Sequence, residues 1–111
     1  MIKRLNNGVI MKNLVIVSFP AKSEALETLK EAMRKALPDT RSFEGCLSVD
    51  TYIEESTNTI HLIEDWETLG DQEKYLKWRI ETGLLTDLDP ILEGGAQNIK
   101  VNLCGPKIKD I

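Results

Sequence analysis

Between Asn13 and Pro20 the chain carries an unbroken apolar run, Leu14-Val15-Ile16-Val17. Its β-branched character predicts a first strand buried on both faces and stopped by Pro20. The period then changes. Leu26, Leu29, Met33, Ala36 and Leu37 recur at three- and four-residue steps, the apolar stripe of a helix. Ser23 is its predicted N-cap, and Glu24 and Glu27 suit the positive end of its dipole. Glu31 and Lys35 form a predicted exposed pair, and Pro38 is the predicted stop. From Cys46 to Glu54 the period is two: Leu47, Val49, Thr51 and Ile53 face one way, and Ser48, Asp50 and Tyr52 the other. Glu55-Ser56-Thr57-Asn58 is turn material, so Thr59–Trp66 returns as a hairpin partner. Ile60, Leu62, Glu64 and Trp66 share one face of it; His61, Ile63 and Asp65 share the other. Pairing Glu54 with Thr59 sets Tyr52 opposite His61 and Leu47 opposite Trp66.

A second helix opens at Thr68 or Asp71 and runs to about Thr82, with Leu69, Gln72, Tyr75, Leu76 and Arg79 near one face. Leu84–Glu93 reads as a short apolar helix or turn, interrupted by Pro90 and closed by Gly94-Gly95. Gln97–Cys104 is the last predicted strand, alternating Ile99, Val101 and Leu103 against Asn98, Lys100 and Asn102. Gly105-Pro106 is its predicted end. The order β-α-β-β-α-β, joined by right-handed crossovers, gives an α+β ferredoxin-like domain. Its sheet is antiparallel and four-stranded, in order 4-1-3-2, with both helices on one face. Residues 13–105 form that domain. Residues 1–12 read as an N-terminal extension, in which Met11 is a possible second start and a short extra strand or a packing segment is expected. Residues 106–111 are a charged tail. The far side of the sheet, with Tyr52, His61 and Ile63, has no cover within the domain, and a second copy packed sheet to sheet is the simplest partner. Asp50, Asn98, Lys100 and Asn102 make that face wetter than a typical dimer core.

Composition narrows the setting. The chain has 111 residues, enough for one core without disulfide or metal. Lys and Arg total 14 against 18 Asp and Glu, a net charge of −4, which argues against nucleic acid. No apolar run reaches the roughly 20 residues of a membrane span, and polar residues break any secretory core near the N-terminus. The expected location is the cytoplasm. Cys46 and Cys104 are predicted to lie on opposite edge strands, too far apart for an internal bridge, so two free thiols are expected. Glu64 and Asp65 face opposite ways and cannot act as a carboxylate pair. His61 is the only histidine; on the outer face it reads as an interface group bonded to Tyr52 or Asp50, with a catalytic role as the alternative.

The stretch from Asn13 to Cys104 resembles the antibiotic biosynthesis monooxygenase family, whose small ferredoxin-like chains pair into dimeric α/β barrels. The resemblance runs through Glu44-Gly45-Cys46-Leu47, Tyr52 in the hairpin, and Glu64-x-Trp66-Glu67-Thr68 ahead of the second helix. It implies oxygenation of a small quinol- or anthrone-like aromatic by dioxygen, without metal, flavin or other cofactor. Once deprotonated, such substrates reduce dioxygen themselves; the protein supplies a dry pocket, a base and donors to the developing oxyanion. The pocket is expected between sheet and helices, beside Trp66, with Trp78 and Leu62 also lining it. The family often has a histidine nine residues after the tryptophan, where this chain has Tyr75. The base role therefore passes to Glu64, with Tyr75 as a second catalytic candidate at the rim. The absent histidine also removes the iron ligand of the haem-degrading relatives.

Each residue also has a plainer reading. Trp66 serves equally as a core aromatic, Tyr75 as a helix residue reaching water, and Trp78 as packing. Glu64 serves equally as an ion-pair partner of Arg41, Lys74 or Arg79. The alternative for the whole chain is a non-catalytic binding or dimeric accessory protein of the same fold. Side chains filling the space beside Trp66 would favour the accessory protein.

Overall fold

The computed structural model describes residues 11–111, so the extension at residues 1–10 lies outside the described residues. Four strands form one antiparallel sheet: β1 (Asn13–Pro20), β2 (Cys46–Glu54), β3 (Thr59–Trp66) and β4 (Lys100–Pro106), in order β2-β3-β1-β4. The helices are α1 (Leu26–Ser42), α2 (Leu69–Glu81) and the short α3 (Leu84–Leu88). This is the predicted ferredoxin-like α+β topology. Leu29, Met33 and Leu37 of α1, Tyr75 of α2, Leu88 of α3 and Leu92 bury against Val15, Val17, Phe19, Val49, Ile60, Leu62 and Trp66 of the sheet. Each large side chain so buried contributes roughly 1.5–3 kcal/mol.

The hairpin register follows the alternation, with Glu54 opposite Thr59 and Tyr52 opposite His61. At its far end a bulge intervenes: Cys46 pairs with Trp66 and Ser48 with Asp65, so Leu47 is the extra residue and Cys46 takes the place expected for it. The chain reverses through a 3-10 turn at Glu55–Thr57 and a left-handed Asn58.

Three predicted boundaries move. Ser23 does not cap α1; it sits in a 3-10 turn, Ser23–Ala25, and its hydroxyl donates to Glu24. Pro38 does not end α1, which continues to Ser42. The proline removes one helical N–H, but the turn beyond it is held from outside, through Thr40 and the Ala36 carbonyl, by side chains of α2. The last strand begins at Lys100, because a 3-10 turn at Ala96–Asn98 uses the N–H groups of Asn98 and Ile99 first. It also runs past Gly105, whose φ of +112° accommodates a register shift against β1.

Helix surface pairs also differ. Glu31 pairs with Arg34 rather than Lys35, and Lys30 pairs with Glu27. Cys46 and Cys104, on the two edge strands, are both free. No helix among the described residues is long and apolar enough to cross a membrane.

Candidate functional site

Strand parity turns Glu64 and Trp66 inward from β3, and both are fully buried. The Trp66 indole Nε1–H donates to Glu64 Oε1 at 2.8 Å. Burial pushes the Glu64 carboxyl up to about 7, and the Trp66 hydrogen bond only partly opposes it. A carboxyl so placed exchanges a proton near neutral pH, as a general base must. None of the anticipated ion pairs forms. Arg41 is exposed and donates through Nη2 to the Val49 carbonyl at 3.0 Å; Arg79 is engaged with α1. Burial, then the charge of Glu64, pushes the neighbouring Cys46 thiol up to about 11, so it stays protonated and weakly nucleophilic at neutral pH.

Above this pair lies an aromatic cluster. Trp66, Tyr75 and Trp78 come together as the sequence suggested, and Phe43, which it did not single out, is their hub. The Phe43 ring centroid lies 5.3 Å from that of Tyr75, 5.8 Å from Trp78 and 6.4 Å from Trp66. Trp66 and Tyr75 are 5.5 Å apart. Tyr75 does not reach water. Its buried hydroxyl accepts from Arg79 Nε at 2.7 Å and shares a 2.5 Å hydrogen bond with Thr40 Oγ1. Arg79, itself buried, also donates to the Ala36 carbonyl at 2.6 Å and lies over the Trp78 ring at 4.5 Å. Its four-residue spacing from Tyr75 was the available signal for this contact. Leu62 sits in the core beneath, also on the inner face of β3.

Two further buried groups follow Trp66. Glu67 Oε2 and Gln72 Oε1 have no hydrogen-bond partner among the described residues. Such oxygens cost about 1–3 kcal/mol each until a donor reaches them, so a water or a substrate hydroxyl would be held there.

The described cavities lie elsewhere. One of about 330 Å³ does open between sheet and helix, but at the hairpin end, among Met33, Leu37, Tyr52, Ile53 and Ile60 with Lys30 and Arg34 at its edge. A second, of about 380 Å³, lies by Leu14, Asp65 and Cys104. A third, of about 470 Å³, lies on the outer face by Ser18 and His61. None of the three touches Trp66, Glu64 or Tyr75, and the rings of Phe43 and Tyr75 pack against Trp66. Among the described residues no three His, Cys, Asp or Glu side chains gather as metal ligands.

The antibiotic biosynthesis monooxygenase family model matches residues 14–79, more than half of the chain. No curated protein matches at a significant level. Among solved structures, a conserved protein from Methanosarcina mazei Go1 is 17% identical, with a TM-score of 0.74, covering 88% of this chain and 95% of its own. A protein named antibiotic biosynthesis monooxygenase is 21% identical, with a TM-score of 0.69, covering 82% and 94%. PA3566 from Pseudomonas aeruginosa is 20% identical, with a TM-score of 0.68, covering 91% and 100%. At these identities the structural likeness establishes the fold alone.

Proposed function

This chain belongs to the antibiotic biosynthesis monooxygenase family, and from that premise we propose that it oxygenates a small, electron-rich aromatic such as a quinol or anthrone, without a bound cofactor. The observation that carries this reading is the buried Glu64 carboxyl, raised to about 7 and held by the Trp66 N–H under an aromatic cluster. In this reading Glu64 takes the phenolic or benzylic proton. The resulting anion then passes electrons to dioxygen within an apolar surround that excludes bulk water. Trp66, Trp78 and Leu62 form the walls. The Tyr75 hydroxyl is tied to Thr40 and Arg79, so it shapes the site rather than carrying the proton. Exposed Tyr52 on the uncovered outer face of the sheet supports pairing as a homodimer, and a net charge of −4 with two free thiols supports a cytoplasmic setting away from nucleic acid and membrane.

One observation favours the second reading, a non-catalytic binding or accessory protein: Phe43 and Tyr75 pack against Trp66, and Trp78 packs behind them. Catalysis then requires the half-buried Phe43 and Trp78 to swing aside. Oxygen uptake with hydroquinones and anthrones, measured against each compound's autoxidation, separates the two. The oxygenase shows uptake above background that rises with pH through about 7 and falls roughly a hundredfold in Glu64→Gln, with Trp66→Phe also impaired. Uptake at background across the panel, with no substrate-induced change in tryptophan fluorescence, would leave the accessory reading standing.

A further inference from the structure

Val49, Thr51 and Ile53 share the inward face of β2, yet only Val49 is buried; Ile53 is 39% exposed. The uncovered part of that face is one wall of the cavity of about 330 Å³ between the sheet and α1. Ile53 stands opposite Ile60 across the β2–β3 ladder, and Met33 and Leu37 of α1 line the other side. The interior of the groove is therefore aliphatic. It lies four residues along β3 from Glu64, roughly 13 Å, so it is separate from the buried carboxyl.

The groove opens on the helix side of the sheet. A second copy packed sheet to sheet would cover the opposite side, where His61 bonds neither Tyr52 nor Asp50. There His61 Nδ1 lies 2.7 Å from Ser18 Oγ and Nε2 lies 2.7 Å from Glu54 Oε1, a row satisfied within itself. Only Tyr52, among the residues around the groove, belongs to that outer face by strand parity.

Charge selects the occupant. Lys30 and Arg34 stand at the rim, and no acidic residue lines the groove, in a chain of net charge −4. The other two described cavities each include a carboxylate, Asp65 in one and Glu54 in the other. Lys30 and Arg34 are four residues apart on α1, so their side chains are neighbours and can share one anion. Lys30 Nζ lies 3.1 Å from Glu27, and Arg34 Nη1 lies 2.8 Å from Glu31. Both are exposed pairs within one helix, which contribute little and yield readily to a better partner. An ammonium has three N–H donors and a guanidinium five, so each cation can hold its glutamate and a ligand oxygen together.

From this arrangement we infer that the groove is a binding site for a small aliphatic carboxylate. The carboxylate sits between Lys30 and Arg34, and the apolar chain runs between Met33 and Leu37 on one side and Ile53 and Ile60 on the other. From Lys30 to Leu37 α1 rises about 10 Å, the length of a chain of roughly eight carbons. Burying that chain covers the exposed Ile53 side chain, and the rim cations remain in water, where they select for charge.

The test is titration of the full chain with octanoate, kept below its micelle concentration, and read by amide NMR. Octan-1-ol and octylammonium, which keep the chain and change the head, are titrated alongside. The expected result is saturable shifts confined to residues 30–37, 51–53 and 60. Octanol should bind about tenfold more weakly, the loss of one charge-assisted contact, and octylammonium more weakly still. Lys30→Gln with Arg34→Gln should bring octanoate down to the level of octanol without changing octanol itself. Ile53→Glu should abolish binding of octanoate by placing a like charge in the groove. Octanoate binding no tighter than octanol overturns the assignment, as does full affinity in the Lys30→Gln/Arg34→Gln chain or saturable shifts confined to other residues. The shift map of the wild-type chain needs no variant, so a folding defect cannot mask the outcome. Oxygen uptake in the Lys30→Gln/Arg34→Gln chain should equal that of wild type, which keeps this test separate from that of Glu64.

Discussion

Trp66 Nε1–H donates to Glu64 Oε1 at 2.8 Å, and the two residues stand two positions apart on the inward face of β3. Burial raises the Glu64 pKa from 4.5 to about 7, so the folded state binds this proton more tightly than the unfolded state. The resulting stability is fully present below about pH 4.5 and is lost as pH rises through about 7. At 1.36 kcal/mol per pKa unit, the loss across that window is roughly 3 kcal/mol. Glu64→Gln cannot ionise, so its share of the slope should vanish. Urea unfolding at pH 5, 6, 7 and 8 reads this directly. A variant whose stability changes with pH as steeply as that of wild type would show that Glu64 is not the group responsible.

Tyr75 ties α2 to α1. Its hydroxyl sits between Arg79 Nε and Thr40 Oγ1, all three groups being buried. Tyr75→Phe keeps the ring among Phe43, Trp66 and Trp78 but leaves the Arg79 donor without its acceptor. The expected cost is about 2 kcal/mol, within the range for a stranded buried polar group. Denaturant midpoints check it. Tyr75→Phe at wild-type stability would mean that the hydroxyl can be replaced by water at no cost.

Much of this was legible in the sequence, and the exceptions share a cause. Alternation placed β2 and β3 and turned Glu64 inward, because a two-residue period is local and one slip would bury the wrong face. The four-strand order followed from the sequence of elements. Pro38 misled because the contacts that carry α1 past it come from Tyr75 and Arg79, some 40 residues downstream. Leu47 lost its place opposite Trp66 to a bulge that no periodicity announces. Phe43 was invisible as the aromatic hub, since it follows the helix and belongs to no stripe. The Ser18–His61–Glu54 row drew on three strands, and only the Tyr52–His61 register hinted at it. Propensity sees neighbours in the chain; these features are set by neighbours in space.

Gly45 leads into β2 at φ +89°, and its carbonyl accepts from the Glu67 N–H at 2.8 Å, joining the start of one strand to the end of another. A Cβ there would lie 2.3–2.5 Å from Asp71 Oδ2, Cγ and Cβ. Asp71 is itself held, since its N–H donates to Thr68, the cap of α2. Gly45→Ala should therefore lower stability by about 2 kcal/mol through the left-handed backbone alone, and by more through the clash. Adding Asp71→Ala should rescue little, because the Asp71 Cβ remains in the way. Thermal melts of the single and double variants decide this. Full recovery in the double variant would place the strain in the carboxylate rather than in the backbone.

Pro38 is exposed on α1 and lies inside the helix, so it contributes no core packing and withholds one N–H from the turn before it. A helix-interior proline costs about 3 kcal/mol relative to alanine. Against that, proline restricts the unfolded chain, which is worth about 0.4–1 kcal/mol at a compatible site. Pro38→Ala should then stabilise the protein by roughly 2–2.6 kcal/mol, read as a higher urea midpoint at unchanged slope. If instead Pro38→Ala lowers the midpoint, the bend at Pro38 is what brings Thr40 onto Tyr75, and straightening α1 breaks that contact. The Tyr75→Phe variant distinguishes the cases: in it, Pro38→Ala should stabilise whichever way the wild-type background responds.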